Sequence, residues 1–193
     1  AAQRMAAGGE EAQRFVRHAL LSQAARESCC TKIALAHTLD DQAETFLMRL
    51  IRGAGRRGLS AMAPVGPGPL IRPMLEITRE QARAFLGRLG QEFREDETNL
   101  SERFLRNRVR ARLIPALAEM NPAIARTLAR TARLLADEDR YLDGLAAEWV
   151  RGRAVSPGAG ITLPARGIEG LSDLPPALAR RVVRLALAKA GGD

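Results

Sequence analysis

Apolar side chains recur at helical spacing along most of the chain, broken early by one short run that does not follow it. Between Glu10 and Glu27 the positions Phe15, Val16, Ala19, Leu20 and Ala24 share a stripe, which predicts an amphipathic helix. The run Lys32-Ile33-Ala34-Leu35-Ala36 then reads as a buried strand. A second helix starts near Asp40, where Ala43, Phe46, Leu47, Leu50 and Ile51 fall together until Gly53 stops it. A strand handing over to a helix is the α/β pattern. The segment from Pro64 to Pro69 is loop by composition, and Thr78 with Gln81 makes a capping box that opens a helix reaching the region of Leu89.

The second half is mainly helical. After the acidic segment Glu95-Asp96-Glu97-Thr98-Asn99, an arginine-rich helix is expected from Ser101 onward, and Pro115 must interrupt or kink it because proline has no N–H for the ladder. Asn121-Pro122 reads as an N-cap followed by the first helical position. Ile124, Leu128, Leu135, Leu142, Leu145 and Trp149 then mark a long helix, and Leu178 to Leu187 another. A Gly/Pro-rich stretch with a short strand at Ile161-Thr162-Leu163 separates them. The expected architecture is an α/β part over residues 1–121 and a helical part over residues 122–193.

Composition narrows this only a little. A chain of 193 residues can bury one large core or two small ones. Its 46% hydrophobic and 27% charged residues are those of a globular protein. No apolar run approaches the ~18 residues of a membrane span. Ala1 to Gly9 lack the order of a secretory signal, which points to a cytoplasmic protein, and the absence of an initiating Met leads us to expect that the chain begins inside a longer one. The net charge of +8 is almost wholly arginine, since Lys occurs only at Lys32 and Lys189. A basic surface attracts polyanions, nucleic acid above all, although an arginine-rich solvated surface gives the same number. Cys29 and Cys30 are adjacent, so the sequence offers no CxxC pair for zinc or an iron–sulfur cluster.

Candidate chemistry gathers in the run from His37 to Thr45, where the strand gives way to the helix. The carboxyl end of a strand is where open α/β sheets bind ligands. Asp41 and Glu44, three apart, share a helix face, so two carboxylates and His37 can converge, either to hold Mg²⁺ or to take a proton from an amine. The alternative is structural: acidic groups in a first turn complement the macrodipole, and Thr38 with Asp41 resembles a capping box. The run Arg52-Gly53-Ala54-Gly55-Arg56-Arg57-Gly58 contains GxGxxG but follows a helix rather than a strand, which excludes the dinucleotide reading. It remains either a cationic loop able to approach phosphate or an ordinary helix end. Arg103, Arg106, Asn107 and Arg110 share one face of the arginine helix while Leu105, Val109 and Leu113 line another, suiting phosphate and base contacts or a plain solvated face. Asn99-Leu100-Ser101 matches a glycosylation sequon and is set aside for want of a secretory signal.

Five blocks, taken together, resemble the tRNA(Ile)-lysidine synthetase family. They are Ala36-His37-Thr38-Leu39-Asp40-Asp41-Gln42-Ala43-Glu44-Thr45, Arg52-Gly53-Ala54-Gly55 with Gly58-Leu59, Ile71-Arg72-Pro73, Glu95 to Asn99, and Arg106-Asn107-Arg108-Val109-Arg110. The resemblance is closest from Glu10 to Pro122 and weaker to Ala190. It implies an N-type ATP pyrophosphatase, whose Rossmann-like domain here lacks the SGG-x-DS phosphate loop, followed by a helical domain. The implied reaction uses ATP to adenylate O2 of the wobble cytidine, at anticodon position 34 of tRNA(Ile), and free L-lysine to displace AMP at C2. The product, lysidine, changes decoding from AUG to AUA.

Carried over, the resemblance makes His37, Asp41 and Glu44 catalytic, with the two carboxylates holding the lysine ammonium. Arg52, Gly53 and Gly55 would flank ATP, Arg103, Arg106, Asn107 and Arg110 would meet the tRNA, and Asp40 or Asp41 would meet Mg²⁺. The implied cofactors are ATP and Mg²⁺, and the partners tRNA(Ile) with a CAU anticodon, lysine and, as an open alternative, a second copy in a homodimer. Two further alternatives are another pyrophosphatase-type tRNA-modifying enzyme, such as a thiocytidine synthetase, and a non-catalytic basic helical RNA-binding module.

Overall fold

The computed structural model of the chain describes residues 10–93, 104–153, 162–164 and 170–190. Its contacts divide it into two compact units, one of residues 1–53 with 61–130, the other of residues 54–60 with 131–193. Helix α1, Glu10–Glu27, forms as its spacing predicts, yet Phe15, Val16 and Leu20 on its apolar stripe are exposed. Strand β1, Ile33–Ala34, pairs in parallel with β2, Leu70–Ile71, in the register Ile33 to Leu70 and Ala34 to Ile71. The N–H groups of Ile33 and Leu35 donate to the carbonyls of Pro69 and Ile71, both at 2.9 Å. The strand is shorter than its apolar run because β2 leaves the ladder after Ile71, where the Arg72 N–H donates to the Pro64 carbonyl at 2.8 Å.

Helix α2, Leu39–Ile51, crosses between these strands. Thr38 caps it, Ala43, Phe46 and Leu47 pack inward, and Gly53 at φ +75° turns the chain out while its N–H meets the Leu50 carbonyl. Glycine takes that left-handed conformation without the Cβ clash another residue would meet. Gln42, buried one turn in, uses both ends of its amide on the Met62 backbone at 2.8 Å. The loop returning to β2 is thereby fixed to the helix. One turn of helix, α3, spans Arg56–Leu59, and α4, Arg79–Arg88, opens on the expected capping box of Thr78 and Gln81.

The arginine helix is described from Leu105. Helix α5, Leu105–Arg108, runs into a π turn, Val109–Leu113, and on into α6, Ile114–Met120. This is how the chain accommodates Pro115: the Ile114 N–H reaches five residues back to Val109, and the widened turn absorbs the donor that proline cannot supply. Val109 is buried with Ile33, Phe46, Leu47, Met62, Leu70 and Leu75 in the interior of the first unit. The expected start near Ser101 and the acidic segment lie outside the described residues.

Asn121 is extended, its side chain accepting from the Ala123 N–H, and α7 then runs as one helix over Ile124–Arg153. In the second unit Ala146, Trp149 and Val150 of α7 pack on Val182 of α8, Pro176–Lys189, with Leu163, Leu171, Leu174, Leu178 and Leu185 around them. Of the short strand read at 161–163, Ile161 lies outside the described residues and Leu163 belongs to this core. Buried Arg181 braces the two helices, donating to the Asp139 carboxylate and to Asp143 Oδ1 at 2.5 Å, while Arg184 meets the same Asp143 oxygen at 3.0 Å. Those bonds, Asp139 foremost, hold the Arg181 pKa above its ordinary value. Among the described residues no helix is long and apolar enough to cross a membrane.

Candidate active site

Two helix N-termini meet beyond the end of β1. The Leu39 N–H, first in α2, donates to the Ile77 carbonyl at 2.9 Å, and the Arg79 N–H, first in α4, donates to Asp40 Oδ2 at 2.7 Å. Asp40 and Asp41 lie in the first turn of α2, where the helix dipole favours negative charge. Asp41 also closes the capping box: its Oδ2 accepts from the Thr38 N–H at 2.8 Å and from the Thr38 hydroxyl at 2.9 Å. The structural reading of this aspartate is realised, and it occupies only one of the two oxygens. Among the described residues Oδ1 accepts no hydrogen bond and faces the Arg79 and Arg110 Nη2 atoms at 3.7 and 3.6 Å.

Glu44, one turn further, is wholly buried, its side chain 1% exposed. Three guanidiniums from different elements converge on it. Arg110 donates from Nε to Oε1 at 2.6 Å and from Nη2 to Oε2 at 3.1 Å, Arg79 from Nη2 to Oε1 at 3.1 Å, and Arg106 Nε lies 3.2 Å from Oε2. Arg106 also reaches Thr45 Oγ1 at 3.3 Å. The hydrogen bond to Glu44, ahead of opposing desolvation, raises the Arg110 pKa above its ordinary value, with Asp41 and Asp40 adding attraction. Among the described residues, three carboxylates, Asp40, Asp41 and Glu44, face these three arginines. A carboxylate so deep is tolerated only because it is paired and hydrogen-bonded.

Asp41 and Glu44 therefore converge, as their spacing predicts, through Arg79 and Arg110, which each reach both. His37 is half-buried at the strand exit, just before the cap. Arg52 and Gly53 stand at the opposite end of α2, about 16 Å from Asp41 along an axis rising ~1.5 Å per residue, and Gly55 belongs to the second compact unit. On the arginine helix Asn107 is buried, Arg106 and Arg110 turn toward Glu44, and Arg103 lies outside the described residues. Arg79 escaped the sequence reading. Its signal was a cation at the first position of a helix, where the dipole opposes it; nearby carboxylates resolve that conflict.

The donor set does not make a metal site by itself. Among the described residues no group of three or more His, Cys, Asp or Glu side chains is placed to hold an ion. Mg²⁺ requires octahedral oxygens, often completed by phosphate. Asp41 is committed to Thr38 on one oxygen and beside two guanidiniums on the other, and Asp40 anchors α4.

Residues 1–117 match the family described as PP-loop domain. The chain is 44% identical over 185 residues to a tRNA(Ile)-lysidine synthase of Geobacter sulfurreducens, an alignment covering 95% of this chain and 39% of that protein. Homologues bearing the same name in Leifsonia xyli and Mycobacterium tuberculosis are 42% and 39% identical, over 94% and 93% of this chain and 54% of theirs. The chain thus spans roughly two fifths to one half of the curated relatives it matches. A U34-tRNA thiolase of Methanococcus maripaludis with a [4Fe-4S] cluster superposes with a TM-score of 0.49 and 21% identity, over 63% of this chain and 42% of that one. From the match over its first 117 residues, the chain belongs to the PP-loop domain family.

Proposed function

We propose that this chain is the catalytic part of a tRNA(Ile)-lysidine synthase that carries the amine-handling half of the reaction. In the first step the wobble cytidine O2 attacks the ATP α-phosphate and pyrophosphate leaves. In the second the lysine ε-amine attacks C2 and AMP leaves with the former O2. The second step needs a neutral amine, while the reference pKa of a lysine ammonium is about 10.4. A carboxylate must therefore receive the cation and then a proton. One observation carries the reading: Asp41 Oδ1, at the strand exit and held through its partner oxygen, accepts no hydrogen bond among the described residues. The lysidine synthase relatives, aligned over nearly the whole chain, supply the substrate class.

In this reading the two carboxylates divide the labour. Asp41, its side chain 17% exposed, is the group that meets the ammonium, and Glu44 is the buried anchor that holds Arg79, Arg106 and Arg110 around it. His37 borders the same exit. ATP is the co-substrate; its contacts at Arg52, Gly53 and Gly55 and the tRNA contacts of Arg103, Arg106, Asn107 and Arg110 belong to this proposal, as does a cytoplasmic setting. Mg²⁺ and a homodimer enter no step.

Asp41→Asn in the intact protein is the sharpest test, because it keeps a capping oxygen for Thr38 that Asp41→Ala would remove. It should lower lysidine formation at least ~100-fold, the usual scale for losing a proton acceptor, with an unchanged melting temperature. Retained turnover would remove Asp41 from the chemistry.

A further inference from the structure

Arg79 Nη2 stands between the two carboxylates, 3.1 Å from Glu44 Oε1 and 3.7 Å from Asp41 Oδ1. One cationic nitrogen bridging two carboxylate oxygens has the placement of a primary ammonium held by the same pair. We propose that the Arg79 side chain is an internal stand-in for the substrate amine, filling its seat between Asp41 and Glu44 and leaving when the amine arrives. This rests on the function proposed above and adds a residue that sets which amines are accepted.

Of the arginines that reach both carboxylates, Arg79 is the one suited to leave. Arg110 holds Glu44 through two nitrogens, the shorter contact 2.6 Å, whereas Arg79 makes one hydrogen bond to it, at 3.1 Å. Arg79 also anchors α4 through its backbone N–H on Asp40, independently of the side chain. The guanidinium can therefore swing out while the helix start remains fixed. Its side chain is 32% exposed, so it is already partly solvated.

Exchange also conserves charge. Withdrawing Arg79 would take one countercharge from a buried carboxylate that Arg110 and Arg106 still hold, which is unfavourable in a desolvated setting. An ammonium entering as the guanidinium leaves replaces one positive charge by another beside Asp41 and Glu44. A neutral side chain cannot make the exchange, and a cation too short to reach Glu44 replaces only the weaker, 3.7 Å contact. The seat thus selects a long, unbranched, cationic arm.

The test is Arg79→Gln in the intact protein, with Arg79→Lys and Asp41→Asn alongside, assayed for amine binding by thermal shift with L-lysine and for turnover. If Arg79 competes for the seat, Arg79→Gln lowers the half-saturating lysine concentration about tenfold and lowers discrimination against L-ornithine, while Arg79→Lys stays near wild type. A lysine requirement unchanged or raised in Arg79→Gln, in a variant that melts as wild type does, overturns the proposal. If Asp41→Asn abolishes the lysine-induced shift while Arg79→Gln leaves it alone, the stand-in fails and the function survives. If neither variant alters the lysine response, the carboxylate seat itself is wrong.

Discussion

Among the described residues each compact unit of this protein holds a buried ionic hub, and the two are built with opposite signs. In the first a carboxylate, Glu44, is surrounded by Arg79, Arg106 and Arg110; in the second a guanidinium, Arg181, is held by Asp139 and Asp143. Both gather side chains from separate helices and both hold an arginine above its ordinary pKa. Burial and ion pairing do not distinguish them. What does is the setting: the Glu44 hub lies beyond a parallel strand, at two helix N-termini, and keeps a carboxylate oxygen of Asp41 without a hydrogen bond. The Arg181 hub lies between α7 and α8 beside Trp149 and Val182, with its charge committed to bracing. On the function proposed above, that oxygen is what separates a hub that meets a substrate from one that only braces two helices.

The hubs themselves should give the largest effects. Glu44→Ala and Arg181→Ala should each lower stability by ~3–5 kcal/mol in urea unfolding, since each removes the central charge around which a largely buried ionic cluster is built. A loss near 1 kcal/mol for either would mean that water already reaches the cluster. Filling the gap sharpens the contrast. Arg181→Met with Asp139→Leu and Asp143→Leu should regain most of the lost stability and leave lysidine formation by the intact protein unchanged. An apolar replacement of Glu44 and its arginines can restore the fold but not turnover, and restored turnover would make the two hubs equivalent.

Smaller effects follow at the edges of the comparison. Thr38→Ala removes the cap of α2 and should cost about 1 kcal/mol, read as a lower melting temperature with a matching loss of lysine affinity as Asp41 comes loose. Arg56→Ala deletes an ion pair with Glu138 between side chains 44% and 57% exposed, and should change stability by no more than ~0.5 kcal/mol. The pH dependence has a definite sign. Arg110 and Arg181 are raised in the fold, so the stability they add is fully present below the ordinary arginine pKa and is lost only as pH rises through the still higher folded value. Neither hub should weaken between neutral and mildly alkaline pH, and a stability loss there would mean that another group titrates.

Much of this was legible in the residues, for reasons of range. Helix stripes, the Thr78 capping box, the glycine stop at Gly53 and the strand-to-helix handover depend on neighbours a few positions apart, and the chain forms them where the spacing indicates. The approach of Asp41 to Glu44 is equally local, since positions three apart share a helix face. The breadth of the turn at Pro115 was not readable: a missing donor demands some adjustment, and packing of Val109 and the pull of Glu44 on Arg110 accompany the π turn that supplies it.

The sequence by itself determined the long helices, the short strand run before α2 and the run of carboxylates at its exit, because each follows from periodicity and capping within one element, whereas the parallel partner at Leu70–Ile71 came only with the fold. Only the tertiary structure decided what those carboxylates face. Arg79, Arg106 and Arg110 lie 35 to 66 positions from Glu44, and nothing in local spacing brings them to it. Folding does so because a carboxylate driven into the interior with α2 must find countercharge there, and three arginines on other elements supply it.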